Sequence, residues 1–159
     1  MARVPLPETD EYGHLPPGVH TATIEEVERL YGVFQRSDCR PALLRKLKEY
    51  LGEVRQAGWK AEVIIDGSFV MKKVDEPDDI DIILVMPPGW DMAADLQPFE
   101  YNLMSKRQVR RRFGFDVFPV RHGSPEYARW TDFFIQVNPK WNERFGFPLG
   151  LQKGIVRIV

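Results

Sequence analysis

The chain has 159 residues, 43% of them hydrophobic, with 10 Phe, 4 Trp and 5 Tyr. That length and apolar content fit one globular domain and exclude a disordered chain. Lys and Arg number 22 against 23 Asp and Glu, for a net charge of −1, so no global basic excess marks a nucleic-acid scaffold. Cys39 stands alone, which excludes a disulfide framework and a thiolate metal cluster. There is no apolar signal core and no stretch near the ~18 apolar residues of a membrane helix, so a cytoplasmic protein is expected.

Residues 1–20 hold four of the 13 prolines and little periodicity, and read as an extended arm whose deletion should be tolerated. Residues 21–159 then read as a single domain. Thr23-x-x-Glu26 has the form of a capping box, and Gly32 can stop the short helix it opens. A second helix runs from about Pro41, its stripe of Leu43, Leu44, Leu47, Tyr50, Leu51 and Val54 destined for one face of a sheet. Gly58 ends it. Glu62–Ile65 is a β-branched strand, and a short helix over Phe69–Lys73 is expected after Gly67-Ser68. Asp79–Met86 is a second strand, stopped by Pro87-Pro88, while residues 89–104 carry no clear pattern. Ser105-x-x-Gln108 opens a helix with Val109 and Phe113 inward and Gly114 at its end. Phe115–Val120 is a third strand, and Pro119 places it at an edge or a bulge. Ser124-Pro125 opens a helix with Tyr127, Trp130, Phe134 and Val137 inward, and Gly154–Val159 is a last strand. The sum is an α+β domain with a mixed sheet flanked by helices and an N-terminal helical extension.

Chemistry concentrates where the first strand meets the second. Gly67-Ser68 closes one apolar run, ten residues follow, and Asp79-Ile80-Asp81 opens the next. Side chains two apart on a strand share a face, roughly 6.5–7 Å apart, so Asp79 and Asp81 can converge on a cation while Ile80 and Ile82 face the core. Asp78 would then point the other way, which argues against it as a ligand. Hard divalent ions take carboxylate oxygens and keep positions open for phosphates. A Gly-Ser turn supplies backbone N–H groups and a hydroxyl for a phosphate. Asp116, framed by Phe115, Val117 and Phe118, is either a third ligand or a surface-facing strand residue. Lys72 and Lys73 are candidates for neutralising a triphosphate, or are simply solvated.

The Gly-Ser, ten-residue, Asp-x-Asp pattern at Gly67, Ser68, Asp79 and Asp81 resembles the nucleotidyltransferase superfamily of DNA polymerase beta. Within it, the pattern is most similar to the minimal nucleotidyltransferases found as bacterial antitoxins. The resemblance covers about residues 61–120, and Asp116 fills the place of the family's third carboxylate on the next strand. It implies Mg²⁺, or Mn²⁺, held by Asp79, Asp81 and Asp116, which would also be the catalytic acids. It implies an NTP on Gly67, Ser68, Lys72 and Lys73, and transfer of a nucleoside monophosphate to a hydroxyl on a protein, RNA or small molecule. The antitoxin setting implies a partner such as a HEPN-type toxin.

Two other classes remain open from the residues. One is a non-catalytic module that acts by binding a toxin; the other is a nucleic-acid binder that uses Lys106, Arg107, Arg110, Arg111 and Arg112, unless these form a plain solvated helix face. His14, His20 and His122 lack ligand spacing. Tyr127, Trp130, Phe133 and Phe134 suit a core better than a base-stacking platform.

Overall fold

The computed structural model describes residues 4–78 and 80–159. Asp79, the first acid of the Asp-x-Asp pattern, lies outside the described residues.

The fold is α+β: a mixed sheet of five strands with helices on both faces. Strand β1 (Gly18–Ala22) is followed by helices α1 (Ile24–Tyr31) and α2 (Cys39–Gln56), then by β2 (Glu62–Asp66) and β3 (Asp81–Met86). Helices α3 (Pro98–Met104) and α4 (Lys106–Phe113) lead to β4 (Asp116–Arg121), and α5 (Pro125–Ile135), α6 (Pro139–Phe145) and β5 (Gly154–Ile158) complete the chain. The strand order is β1-β5-β2-β3-β4. β2 is antiparallel to both its neighbours, whereas β1 with β5 and β3 with β4 are parallel.

The expected caps form. Thr23 and Glu26 make a reciprocal capping box on α1, and Gly32 donates back to Glu28 O. Ser105 caps α4 through Gln108 N, and left-handed Gly114 closes it. Ser124 caps α5 through Tyr127 N. Pro119 does fall on an edge strand, where its missing N–H breaks no ladder.

Alternation along the strands divides the core in two. Val63, Ile65, Ile82, Leu84, Val117 and Val156 face α1 to α4, where Leu44, Leu47, Tyr50 and Val54 of α2 are buried against them. Ile64, Ile83, Val85, Val120 and Ile155 face α5 and pack on Phe134, Trp130 and Tyr127. β3 is covered on both sides and therefore reads as an unbroken apolar run. A third cluster of Met71, Val74, Val137, Trp141 and Phe147 sits at the end of the sheet beside α6.

Three expectations are corrected. The arm does not extend to residue 20, because Gly18–Ala22 pairs with β5 and both His14 and Leu15 are fully buried. Deleting residues 1–20 would thus remove three of the five β1 residues together with the buried His14 and Leu15. No helix forms over Phe69–Lys73; a single 3-10 turn at Ser68–Val70 replaces it. Phe69, Val70, Met71 and Val74 are all buried, and one amphipathic helix face cannot bury four side chains packed so closely in sequence. Finally, β3 begins at Asp81, and Ile80 just before it is outside the strand.

Candidate functional site

The strand register lines up three acids. Asp66, the last residue of β2, pairs with Asp81, the first of β3, and Asp81 pairs with Asp116, the first of β4. Neighbouring strands lie about 4.7–4.9 Å apart, so the three backbones form one short row across the sheet. Asp66 shares its face with Ile64, Asp81 with Ile83, and Asp116 with Phe118; all three therefore face the α5 side. Burial grades along the row: Asp66 is fully buried, Asp81 is half-buried, and the Asp116 side chain is 42% exposed.

Gly67 makes this row possible. Its backbone (φ 86°, ψ −164°) lies in a region open essentially to glycine alone. A Cβ there would stand 2.7 Å from Asp81 Oδ2. The turn thus lies directly against the Asp81 carboxylate, and Val70 N and Met71 N close back on Gly67 O and Ser68 O. Gly67→Ala should therefore cost at least about 1–3 kcal/mol and displace Asp81. Chemical denaturation and ligand titration of that variant check both effects.

Adjacent acids repel, and cations offset them here. Arg110 Nε lies 3.6 Å from Asp116 Oδ1, while its Nη1 donates to Gly114 O. Lys153, directly before β5, is 3% exposed and donates from Nζ to Phe134 O at 2.6 Å. Burial pulls its pKa down to about 8, against the opposing pull of Asp66 and then Asp81.

A cavity of about 350 Å³ opens over this corner. Gly67, Ser68, Asp81 and Lys153 make a polar floor, and Met71, Phe133, Phe134, Val137, Pro139 and Trp141 make an apolar wall. Phe133 is 58% exposed at the mouth. Asp78 lines the cavity as well. The alternation that argued against it does not apply, since the strand starts only at Asp81. Lys72 and Lys73 are exposed and are not among the cavity's lining residues. Lys153 is the lysine on the floor, and no local pattern in the sequence signals it.

Much of the basic block is engaged. Arg112 makes two hydrogen bonds to the Glu53 carboxylate, Arg110 meets Asp116, and Lys106 Nζ sits 4.2 Å from the centre of the Phe118 ring. Among the described residues, no three His, Cys, Asp or Glu side chains cluster as a metal-ligand set. Mg²⁺ needs only one or two carboxylates, because water and substrate phosphates complete its shell. Asp81 and Asp116, in register beside a turn whose glycine leaves room for the Asp81 carboxylate, fit that requirement.

A model described as "Family of unknown function (DUF6932)" matches residues 7–159. The chain belongs to DUF6932. No curated protein and no solved structure matches it. The DUF6932 match begins before β1, in keeping with a fold in which His14 and Leu15 are already buried.

In this DUF6932 chain His14 braces the same corner from behind. It is fully buried, its ring meets Phe147 edge-on, and neither ring nitrogen has a hydrogen-bond partner. Burial drives its pKa down to about 4; Asp10 opposes this, while Lys153 and Lys73 add to it. Because the folded pKa lies below the usual 6.5, the unfolded chain binds the proton more tightly, so stability is lost as pH falls from about 6.5 toward 4. The loss should reach about 3 kcal/mol at pH 4. Urea unfolding of wild type and His14→Phe at several pH values checks this, and the variant should lose that part of the slope.

In the described residues no helix is long and apolar enough to cross a membrane.

Proposed function

We propose that the chain is a Mg²⁺-dependent nucleotidyltransferase of the polymerase-beta type, moving a nucleoside monophosphate from an NTP to an acceptor hydroxyl with release of pyrophosphate. The observation that carries this reading is the register pairing of Asp81 with Asp116 on parallel strands, directly beside the Gly67-Ser68 turn. The cavity supports it in a second way. Its polar floor suits a phosphate chain, and its apolar wall suits a base, as ligand sites pair apolar lining with a few placed polar groups.

On this reading Asp81 and Asp116 hold the ion, with Asp79 as the further acid of the motif, and Gly67 and Ser68 seat the phosphates. The ion would supply charge neutralisation for the phosphates and polarise the acceptor oxygen. Asp116 is the acid open to solvent at the sheet edge, so the acceptor hydroxyl would approach from that side and give up its proton there. Positioning and electrostatics would supply most of the acceleration. A partner toxin's side-chain hydroxyl is one acceptor consistent with the resemblance to minimal nucleotidyltransferases. The engagement of Arg110, Arg112 and Lys106 within the fold weighs against a free phosphate-tracking strip on α4.

The test is incubation in cell lysate with Mg²⁺ and each α-labelled NTP in turn. Covalent label on one macromolecule, lost with Asp81→Asn, is expected. No label above that variant with any of the four NTPs would count against transfer.

A further inference from the structure

We propose that Lys153 is a built-in cation that binds the phosphate chain directly, with Phe134 O holding its ammonium in place and the buried Asp66, one residue before the cavity lining, as its counter-charge. This rests on the nucleotide reading of the cavity but assigns it a ligand that the Asp-x-Asp pattern does not contain.

Lys153 and Lys140 are the lysines that line the cavity. Lys140 is exposed, with Nζ 4.7 Å from the centre of the Trp141 ring, whereas Lys153 is on the floor beside Gly67, Ser68 and Asp81. An ammonium has three N–H donors. One is fixed on Phe134 O at 2.6 Å, which anchors the side chain to the C-terminal turn of α5 and sets where the others aim. Burying an ammonium is costly unless opposite charge and hydrogen bonds compensate it, and a lone carbonyl at a helix end does not require one.

Asp66 supplies negative charge nearby: β2 runs antiparallel to β5 with Ile65 opposite Val156, so Asp66 and Gly67 lie beside the start of β5, directly after Lys153. Asp66 is fully buried at the residue before Gly67, on a strand whose other inward positions are Val63, Ile64 and Ile65. A buried carboxylate beside an anion-binding turn would repel phosphate unless a cation stood with it. Asp66 and Asp81 both act on Lys153. Of the two, only Asp81 lines the cavity with Lys153; Asp66 is not among the lining residues. Asp66 thus serves as a standing counter-charge, and Asp81 faces the ligand. Two cationic contributions follow: a divalent ion at Asp81 and Asp116, and an ammonium that needs no metal.

The experiment is isothermal titration calorimetry with inorganic tripolyphosphate in EDTA and with Mg²⁺-ATP, Mg²⁺-CTP, Mg²⁺-GTP and Mg²⁺-UTP in turn, at physiological salt. The proteins are wild type, Asp66→Asn, Lys153→Met and the double variant, which leaves no lone buried charge. Wild type should bind tripolyphosphate without divalent ion. The double variant should melt cooperatively and bind at least tenfold more weakly. Asp66→Asn should weaken binding when Lys153 is present and, by removing an unbalanced carboxylate, strengthen it in the Lys153→Met background; a merely structural Asp66 would act equally in both backgrounds. Wild-type affinity in the double variant overturns the proposal. Binding of any of these Mg²⁺-NTPs but not of tripolyphosphate in EDTA also overturns it and leaves the transferase reading intact. Lys153-dependent tripolyphosphate binding without binding of Mg²⁺-ATP, Mg²⁺-CTP, Mg²⁺-GTP or Mg²⁺-UTP supports the anion site and overturns the nucleotide reading.

Discussion

Replacing Arg40 with methionine should destabilise the protein by about 3–5 kcal/mol, a large part of the 5–15 kcal/mol typical of a domain. Arg40 is 1% exposed, at the start of α2. Its Nε donates to Val74 O, Nη1 to Tyr31 O and Phe69 O, and Nη2 to Met71 O and Val74 O. All five guanidinium donors are used, and the loop after the Gly67-Ser68 turn is wound around them. Methionine would fill much of the volume but take the arginine donors from Tyr31 O, Phe69 O and Val74 O, each costing about 1–3 kcal/mol before relaxation, while Met71 O keeps Val74 N. Lysine offers three donors without the planar fork, so Arg40→Lys should also lose at least about 2 kcal/mol. Equilibrium urea unfolding measures both, and a loss below about 1 kcal/mol for methionine would show that the loop is held by other contacts. Since the same loop fixes Gly67, ligand affinity should fall with stability.

Asp81→Asn should leave a cooperatively folding protein whose nucleotidyl transfer drops by about 10²–10³ or more, the scale on which placed charges act in active sites. Asp81 is the acid common to every feature of the site. It is in register with Asp66 and Asp116, touches the space over Gly67, and lines the cavity with Lys153. Asp116→Asn should differ in kind: NTP affinity stays within a few-fold while transfer is lost, because Asp81 would still hold the ion whereas Asp116 stands on the solvent side where the acceptor enters. Single-turnover kinetics beside equilibrium binding separates the two. If Asp116→Asn lost affinity and rate in equal measure, Asp116 would be a substrate-binding residue and the proposed division of labour would fail.

What could be read from the residues follows from how local each signal is. The caps at Thr23, Ser105 and Ser124 and the α2 stripe are short-range patterns, and they appear where expected. β3 and β4 announce themselves by apolar runs, and the acids that open them come into register without further help. β1 is hidden because Gly-Val-His-Thr-Ala is largely half-buried and follows two prolines; only pairing with β5, at the other end of the chain, makes it a strand. Helices α3 and α6 are seven residues each, too short for a period to show. Arg40 and Lys153 were silent for the same reason. A buried cation is defined by carbonyls and acids far away in sequence, and nothing beside Arg40 or Lys153 hints at Phe69, Val74 or Asp66. Lys72 and Lys73 stood out because they follow the Gly-Ser turn, yet the compact 3-10 turn carries them to the surface.

The central claim is that the Gly67-Ser68 turn and the carboxylates facing it form a metal-dependent NTP site. Isothermal titration calorimetry of ATP, CTP, GTP and UTP, each with Mg²⁺, tests it most directly, using wild type and the Asp79→Asn/Asp81→Asn variant. The expected result is binding of at least one NTP by wild type that weakens at least tenfold in EDTA and in the double variant. Equal binding by the two proteins, or no binding of any NTP by a folded wild type, would contradict it.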